Sequence, residues 1–324
     1  MRPRFKLPIG LAVLVAATVY GAAATHRIKL VPRFSPGQVM RYRIESSSKS
    51  TGKTTGPIAN PEGGSQSSNS IHMVVRLEVL SLTPERGVRL RATYEKSSAQ
   101  SEADALDLSA NSFSSRYTRL EGRTFEFTLE PDGKVTNTQD LTAAVAGESP
   151  KAIEPVLTWL AQVVPGTSFP RNGISVSQKW TGEHPVEGAV LSGLALRSES
   201  VYVRNEPCRS NSTAASTSRP AASDPAAVEC AVILTQFEIA RRGSSHADAT
   251  PDDYRRNGLR TSGTWTGSGE SLDSYSWATG LLVSSTQSST QNMDYQVTSA
   301  STGSSVHNVG KIQSQSHITL IPSP

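Results

Sequence analysis

The feature that most constrains the fold is an alternation of apolar and polar residues that recurs along the chain. Within residues 71–79, every second position is apolar, at Ile71, Met73, Val75, Leu77 and Val79. A turn-forming segment, 83–87, follows, and residues 88–95 return with apolar side chains at Val88, Leu90, Ala92 and Tyr94. A period of two is typical of a strand that buries one face. The pattern therefore predicts an antiparallel hairpin over residues 71–95.

A second hairpin is predicted over residues 123–137. Phe125, Phe127 and Leu129 alternate with polar residues, which again gives one apolar face. The turn follows at residues 131–133, Pro-Asp-Gly, where proline presets φ, aspartate offers an acceptor and glycine tolerates a positive φ. Together the two hairpins indicate an antiparallel sheet with one buried and one solvated face.

One segment has a different period. Residues 149–164 place apolar side chains at helical spacing, at Ile153, Val156, Leu157, Leu160 and Val164. Trp159 lies on the same segment, and this spacing predicts one principal helix that ends at Pro165-Gly166. Strands and helices do not alternate elsewhere, which argues against a parallel sheet. We therefore predict a mainly β (α+β) fold, a strongly curved antiparallel sheet or open half-barrel of about ten strands with the principal helix packed on it.

The N-terminus predicts export. A short basic region is followed by an apolar run and by small residues, so that cleavage between Ala24 and Thr25 would remove a signal peptide over residues 1–24. The alternative is an uncleaved segment, residues 7–24, that anchors the protein in the inner membrane. We expect a periplasmic or extracellular protein, whose only contact with a membrane would be through an uncleaved N-terminus.

The net charge excludes nucleic acid as an expected partner. The chain carries +4, and residues 1–24 contain three basic groups and no acidic ones, so the remaining chain carries 4 − 3 = +1. A pI of about 9.1 therefore partly reflects the signal segment. The pI is therefore no evidence for a nucleic-acid partner, and the two later basic pairs, Arg241-Arg242 and Arg255-Arg256, are expected to be solvated loop charges.

The two cysteines, Cys208 and Cys230, stand at the ends of a segment of Ser, Ala, Thr and Pro. Export would place them in an oxidising compartment. Each flanks a predicted strand, and if these strands are antiparallel neighbours, both thiols lie at the base of one long loop, where a disulfide can form. Two free buried thiols, or a redox or metal role, are the alternatives.

The mature chain, residues 25–324, is predicted to be a single β-rich domain. Three stretches rich in Ser, Gly, Pro or Asp predict disordered loops near residues 47–69, 209–229 and 243–258.

No pattern predicts catalysis. The six histidines are not paired at metal-ligand spacing, and neither a nucleophile elbow nor a phosphate-binding glycine loop occurs. We therefore expect no enzyme activity, no metal and no cofactor. A hydrolase whose carboxylates cannot be identified from the sequence is the minority alternative.

The order of motifs carries a resemblance. A Pro-Gly-Gln turn opens the strand at residues 36–42, Glu-Pro-Asp-Gly-Lys-Val follows at 130–135, Gln-Lys-Trp at 178–180 and Ser-Tyr-Ser-Trp-Ala-Thr-Gly-Leu-Leu-Val-Ser-Ser at 274–285. This order resembles a loose set of uncharacterised exported bacterial proteins, which are similar to the periplasmic lipoprotein-carrier half-barrels. The resemblance implies a curved antiparallel sheet that wraps one or more helices and can hold an acyl chain.

Two functions follow from these predictions. The first is an envelope protein that binds an apolar small molecule or lipid between sheet and helix, with seven candidate lining residues: Met73, Val75, Leu77, Phe125, Phe127, Trp159 and Trp180. Ordinary core packing is the alternative for each of them. The second is a structural or interaction protein that contacts other envelope proteins and binds no small molecule. An apolar cavity of several hundred Å³ would favour the first function.

Overall fold

The computed structural model describes the chain in segments, at residues 27–57, 63–83, 87–103, 109–130, 135–139, 159, 163, 169–186, 189–208, 229–241 and 248–322. These segments contain eleven strands: β1 Val39–Thr55, β2 Gly63–Thr83, β3 Gly87–Ala103, β4 Thr124–Leu129, β5 Val135–Gln139, β6 Lys179–Pro185, β7 Leu194–Pro207, β8 Glu229–Arg241, β9 Leu259–Ser276, β10 Leu282–Ser299 and β11 Ser305–Ile321. Two short helices accompany them, α1 Ser109–Thr118 and α2 Asp252–Arg256.

All eleven strands form one antiparallel sheet in the order β5-β4-β3-β2-β1-β11-β10-β9-β8-β7-β6. Strands β1 to β5 run outward on one side as a meander, and β6 to β11 run inward on the other. The two meanders meet where β1 pairs with β11. The sheet is not closed, because β5 and β6 form its two edges. The prediction of a mainly β, antiparallel and open sheet is confirmed.

The prediction of one principal helix is not borne out, since the described residues contain only α1 and α2. The predicted helix falls on residues 149–164, of which the structure describes Trp159 and Val163, both buried. The Val163 amide donates to the Trp159 carbonyl at 3.4 Å, which is the i to i−4 spacing of an α-helical hydrogen bond. The other residues of the predicted helix lie outside the described part of the chain.

The hairpin predicted over residues 71–95 is present as β2 and β3. Val75 faces Tyr94, Leu77 faces Ala92 and Val79 faces Leu90 across the strand pair, and all six side chains are buried. Strand β4 continues the same layer, because its Phe residues pair with Ala92 and Leu90 of β3. The alternation therefore predicted both the pairing and the buried face.

The predicted loop near residues 47–69 is wrong for residues 47–55 and 63–69, which form strands, and residues 58–62 lie outside the described part of the chain. Strand β1 continues to Thr55 and β2 begins at Gly63, with Ser47 opposite Ser70 and Thr54 opposite Gly63. Central strands can be polar because backbone hydrogen bonds to two neighbours hold them, and β1 pairs with both β2 and β11.

The two other predicted loops fall partly on undescribed residues. Near 243–258, residues 252–256 form helix α2 rather than disordered chain, with acidic residues in the first turn and basic ones in the last, as the helix dipole favours. The predicted loop at 209–229 lies outside the described residues except for its last position.

One face of the sheet carries the core, and we call it the core face and the opposite one the outer face. Because side chains alternate, Tyr42 and Ile44 of β1 share the core face with Ser46, and Ile318 of β11 shares it with Ser316. The large cluster around Tyr42 lies at one end of the strands. A smaller cluster at the other end contains Leu191, Leu194 and Ala249, with Ile239, Trp265 and Tyr295 packed against it. Between the clusters the core face consists mainly of Ser, Gly and Gln residues, with Ile312 and Phe237 as apolar exceptions.

The predicted disulfide is confirmed. Cys208 and Cys230 are bonded, with their Cα atoms 5.0 Å apart. Strands β7 and β8 pair beside the bond, where Pro207 faces Glu229. The disulfide therefore closes the loop at the base of the β7–β8 hairpin.

Within the described part of the chain, no helix has both the length and the apolar character needed to cross a membrane. The predicted cleavage site, Ala24 and Thr25, lies outside that part.

Candidate functional site

A cavity of about 210 Å³ lies on the core face, between the sheet and the rings of Tyr117 and Trp159. Strands β1, β2, β10 and β11 form its floor. The strand residues that line it are Ile44, Ser46, Ile71, Met73, Gln287, Ser314, Gln315, Ser316 and Ile318. The cavity therefore lies where the two central strands β1 and β11 meet.

The cavity has an apolar half and a polar half. Strand β1 changes from Ile44 to Ser46 along the core face, and β11 changes from Ile318 to Ser316 at the facing positions. Toward the core the lining is aliphatic and aromatic. Toward the middle of the sheet it consists mainly of hydroxyl and amide groups, which include Gln287, and the one apolar residue at this level is Ile71, which pairs with Ser46. This division suits a molecule with one apolar and one polar part, because each part meets groups of its own kind.

Trp159 covers the apolar half and is held by two tyrosines. Its Nε1–H donates to the Tyr94 hydroxyl at 3.4 Å, and its ring lies 6.2 Å from the ring of Tyr42. Both tyrosines are fully buried, and burial raises the pKa of each hydroxyl well above its ordinary value. They remain neutral hydrogen-bonding groups at any physiological pH.

The predicted lining residues fall into three groups. Met73 and Trp159 line the cavity. Trp180 lies apart from it, beside Phe169, with the two rings 5.7 Å apart. The remaining four fill the hydrophobic core and have almost no exposed surface: Val75, Leu77, Phe125 and Phe127.

Several residues that line the cavity were not predicted from the sequence. Tyr117 comes from α1, which was not predicted, although Phe113, Tyr117 and Leu120 have the i, i+4, i+7 spacing of a helix face. The Phe113 and Tyr117 rings lie 5.1 Å apart. Ile44 and Ile318 come from opposite ends of the chain, and no local pattern could have joined them.

A partly buried carboxylate lies on the core face of β9, the strand next to β10 of this cavity. Asp273 of β9 accepts a hydrogen bond from the Ser271 hydroxyl at 2.8 Å. Burial raises the pKa of Asp273, and hydrogen bonds from Ser285 and Ser271 oppose that rise. Asp273 does not line the cavity.

The described residues contain no group of three or more His, Cys, Asp or Glu side chains that could hold a metal ion. Outside the core, several carboxylates form ion pairs. Glu126, for example, accepts hydrogen bonds from Arg91 at 2.8 Å and from Arg89 at 3.3 Å. The Arg91 hydrogen bond, with a smaller contribution from Arg89, lowers the pKa of Glu126.

Comparisons with known proteins leave the function open. No family model matches the chain, and no curated protein matches it. Among solved structures, the high-pH structure of Pseudomonas putida OprB is similar over 85% of this chain and 94% of that chain, at 7% sequence identity and a TM-score of 0.22. A likeness at this TM-score carries no functional conclusion, so the function has to be argued from the residues of this chain.

Proposed function

We propose that the protein is an exported envelope protein that binds a small amphiphile in the cavity beneath Tyr117 and Trp159. The single observation that carries this proposal is the division of the cavity into an apolar and a polar half. The signal-peptide pattern over residues 1–24 supports export. The disulfide between Cys208 and Cys230 supports an oxidising compartment.

The size of the cavity limits the ligand. An apolar cavity of roughly 150 Å³ is enough to hold one benzene molecule, and this one measures about 210 Å³. It accommodates a short alkyl chain or one ring, with a polar head at Ser46, Ser316 and Gln287. A complete long acyl chain, which the resemblance to lipoprotein carriers implied, would extend beyond it.

Titration calorimetry tests the proposal with two amphiphiles, uncharged octyl glucoside and octanoate. Each is used below its critical micelle concentration. Met73→Trp fills the apolar half and is expected to weaken binding at least roughly tenfold, the equivalent of about 1.4 kcal/mol. The matched control is Met293→Trp, at a core-face position of β10 that does not line the cavity.

Ile71→Phe provides a second variant if Met73→Trp fails to fold, because Ile71 lines the cavity and is only partly buried. Mass spectrometry of molecules that copurify with the native protein gives an independent measurement. The proposal fails if neither probe binds and no amphiphile copurifies, or if Met73→Trp and Met293→Trp bind equally well.

The second candidate function is a structural protein of the envelope without a small-molecule ligand. Its support is a large polar groove on the outer face, the side of the sheet without the core.

A further inference from the structure

A groove of about 1140 Å³ crosses seven neighbouring strands, in the order β1-β11-β10-β9-β8-β7-β6. Each strand contributes three consecutive residues at the same level of the sheet. The contributing residues are 47–49, 313–315, 288–290, 268–270, 236–238, 197–199 and 181–183. The groove therefore runs across the strands rather than along them.

The groove opens on the outer face. The middle residue of each triplet, such as Ser48, shares the core face with Ile44, because side chains alternate along the strand. Its neighbours on that face, Ser46 and Ser50, line no part of the groove. The two flanking residues of each triplet point outward. The walls are therefore two rows of outward side chains, and the floor is the backbone between them.

We call this feature the outer groove and define it by its two rows. The first row consists of Ser47, Gln315, Ser288, Glu270, Gln236, Glu199 and Thr181. The second consists of Lys49, Gln313, Thr290, Ser268, Glu238, Arg197 and Glu183. Each row follows the strand register, so that neighbours in a row are directly paired across strands.

The chemistry of the rows excludes an apolar ligand. Every wall side chain is a hydroxyl, amide, carboxylate or cation. The one aromatic residue that lines the groove is Phe237, at a middle position of the floor, and its ring lies beside Gly269 on the core side of the sheet. The centres of protein–protein interfaces are enriched in aromatic residues and depleted of Glu, Ser and Lys. The outer groove has the opposite composition, which disfavours a protein partner as well.

The charge of the rows excludes a polyanion. Glu183 pairs with Arg197 at 3.3 Å, and Glu199 pairs with Lys179 at 2.7 Å. Glu238 and Glu270 have no ionic partner among the described residues. Uncompensated carboxylates repel phosphate and sulfate groups, but they accept hydrogen bonds from hydroxyl groups at close range.

The dimensions suit a linear chain. Neighbouring strands lie about 4.8 Å apart, so a ligand that crosses seven strands extends over about 29 Å. Along this path, paired strands present hydrogen-bonding groups at a regular interval that is close to the length of one pyranose unit. A second hollow, of about 480 Å³, continues the polar surface along β1, β11, β10 and β9.

We propose that the outer groove binds a linear, uncharged polysaccharide. Planar amide and carboxylate groups can bond two adjacent hydroxyls at once, and both rows supply them at intervals, for example at Gln236 and Gln313. This site is on the opposite face from the amphiphile cavity, so the two proposals do not depend on each other.

Affinity electrophoresis tests the inference: the purified protein runs in gels that contain dextran or hydroxyethylcellulose, two uncharged polysaccharides of different linkage. Heparin and polylysine serve as polyanionic and polycationic comparisons. We expect retardation by at least one neutral polysaccharide. Titration with oligosaccharides of increasing length is expected to show affinity that rises until the groove is filled.

The variant Gln236→Ala/Gln313→Ala removes one amide from each row and is expected to raise the Kd roughly thirtyfold, the equivalent of about 2 kcal/mol for two lost hydrogen bonds. Gln296→Ala is the matched control, because Gln296 is an exposed glutamine of the same outer face beyond the groove. Met73→Trp is expected to leave the affinity unchanged, which separates this result from the amphiphile test.

Three outcomes would overturn the inference. In the first, neither neutral polysaccharide retards the protein. In the second, polylysine is the only polymer that binds, and Glu238→Gln/Glu270→Gln abolishes that binding. In the third, the double glutamine variant binds as tightly as Gln296→Ala, which would place the polysaccharide elsewhere on the molecule.

Discussion

The buried hydroxyl of Tyr42 donates a hydrogen bond to the main-chain carbonyl of Leu282 across 3.0 Å. Tyr42 lies on β1 and Leu282 begins β10, and β11 separates these strands in the sheet. The hydrogen bond therefore spans a whole strand on the core face. It connects the two meanders at a second point, in addition to the pairing of β1 with β11.

Tyr42→Phe is expected to lower the free energy of unfolding by about 1–2 kcal/mol, because the Leu282 carbonyl loses its donor where water has no access. Urea unfolding followed by far-ultraviolet circular dichroism measures the change. Tyr254→Phe, on the short helix α2, is the control and is expected to change the stability little. Equal stability of wild type and Tyr42→Phe would show that this hydrogen bond does not stabilise the junction.

Reduction of the disulfide is expected to lower the free energy of unfolding by roughly 3 kcal/mol on the chain-entropy model. Cys208 and Cys230 are 22 residues apart, and the bond limits the conformations of that loop in the unfolded chain. Urea unfolding with and without reductant measures the difference. Cys208→Ser/Cys230→Ser should match the reduced protein and be insensitive to reductant. Free thiols in the native wild type would contradict the assignment.

Asp273 is expected to make stability fall as the pH rises. Burial raises its pKa, so the folded protein binds the proton more tightly than the unfolded chain. The free energy of unfolding must then decrease from the unfolded-chain pKa, about 4, up to the folded pKa, and stay lower above it. The side chain introduced in the variant Asp273→Asn cannot ionise, so this pH-dependent decrease in the free energy of unfolding is expected to disappear. The variant is expected to be at least as stable as wild type at neutral pH.

The measurement is urea unfolding at a series of pH values, with Asp253→Asn as the control at an exposed position of α2. If Asp273→Asn follows the wild-type pH profile throughout, the carboxyl of Asp273 is not held against ionisation in the folded protein.

Glu126 is expected to make the free energy of unfolding fall as the pH falls, which is the opposite of the effect of Asp273. The hydrogen bonds from Arg91 and then Arg89 lower its pKa, so its stabilising effect is present above the unfolded-chain pKa and is lost as the pH falls through the folded one. Because the carboxylate is partly solvated, we expect Glu126→Gln to lower the free energy of unfolding by less than about 1 kcal/mol. The loss is expected to be smaller still at high salt. Glu102→Gln, at an exposed position of β3, is the control for denaturation at low and high salt. A loss that salt does not reduce would contradict an electrostatic origin.

Local patterns predicted those parts of the fold that are themselves local. The pairing of Val75 with Tyr94 and of Leu77 with Ala92 follows from alternation on two adjacent strands joined by a turn. The disulfide was predictable for the same reason, because Cys208 and Cys230 flank one hairpin.

The remaining features depend on contacts that are distant in sequence. The polar extension of β1 from Ser47 to Thr55 is a strand because β2 and β11 pair with it, and its composition alone resembles a loop. The cavity combines Ile44 with Ile318 and adds Tyr117 from a short helix rich in serine. The outer groove is a property of seven strands in register, and its hydroxyl and amide side chains have no motif.

Gly269→Ala is expected to be among the more destabilising glycine substitutions, at a cost of about 1–3 kcal/mol. A Cβ at Gly269 would stand well inside van der Waals contact with the Phe237 ring and with the main-chain oxygen of Ser288. The ring could move, but the oxygen belongs to the neighbouring strand β10 and could yield only by distorting the sheet. Gly64→Ala is the control, since the nearest atom to its Cβ would be the Gly52 oxygen at 3.8 Å.

A double-mutant cycle with Phe237→Ala separates the two contacts of Gly269, with urea unfolding as the measurement. If the contact with the Phe237 ring causes most of the destabilisation, the free energy of unfolding of Phe237→Ala/Gly269→Ala falls by much less than the sum of the losses in the two single variants. If the Ser288 oxygen dominates, the losses add, because removal of the ring leaves the backbone contact in place. Equal stability of Gly269→Ala and Gly64→Ala would mean that β8, β9 and β10 do not pack as closely as their register requires.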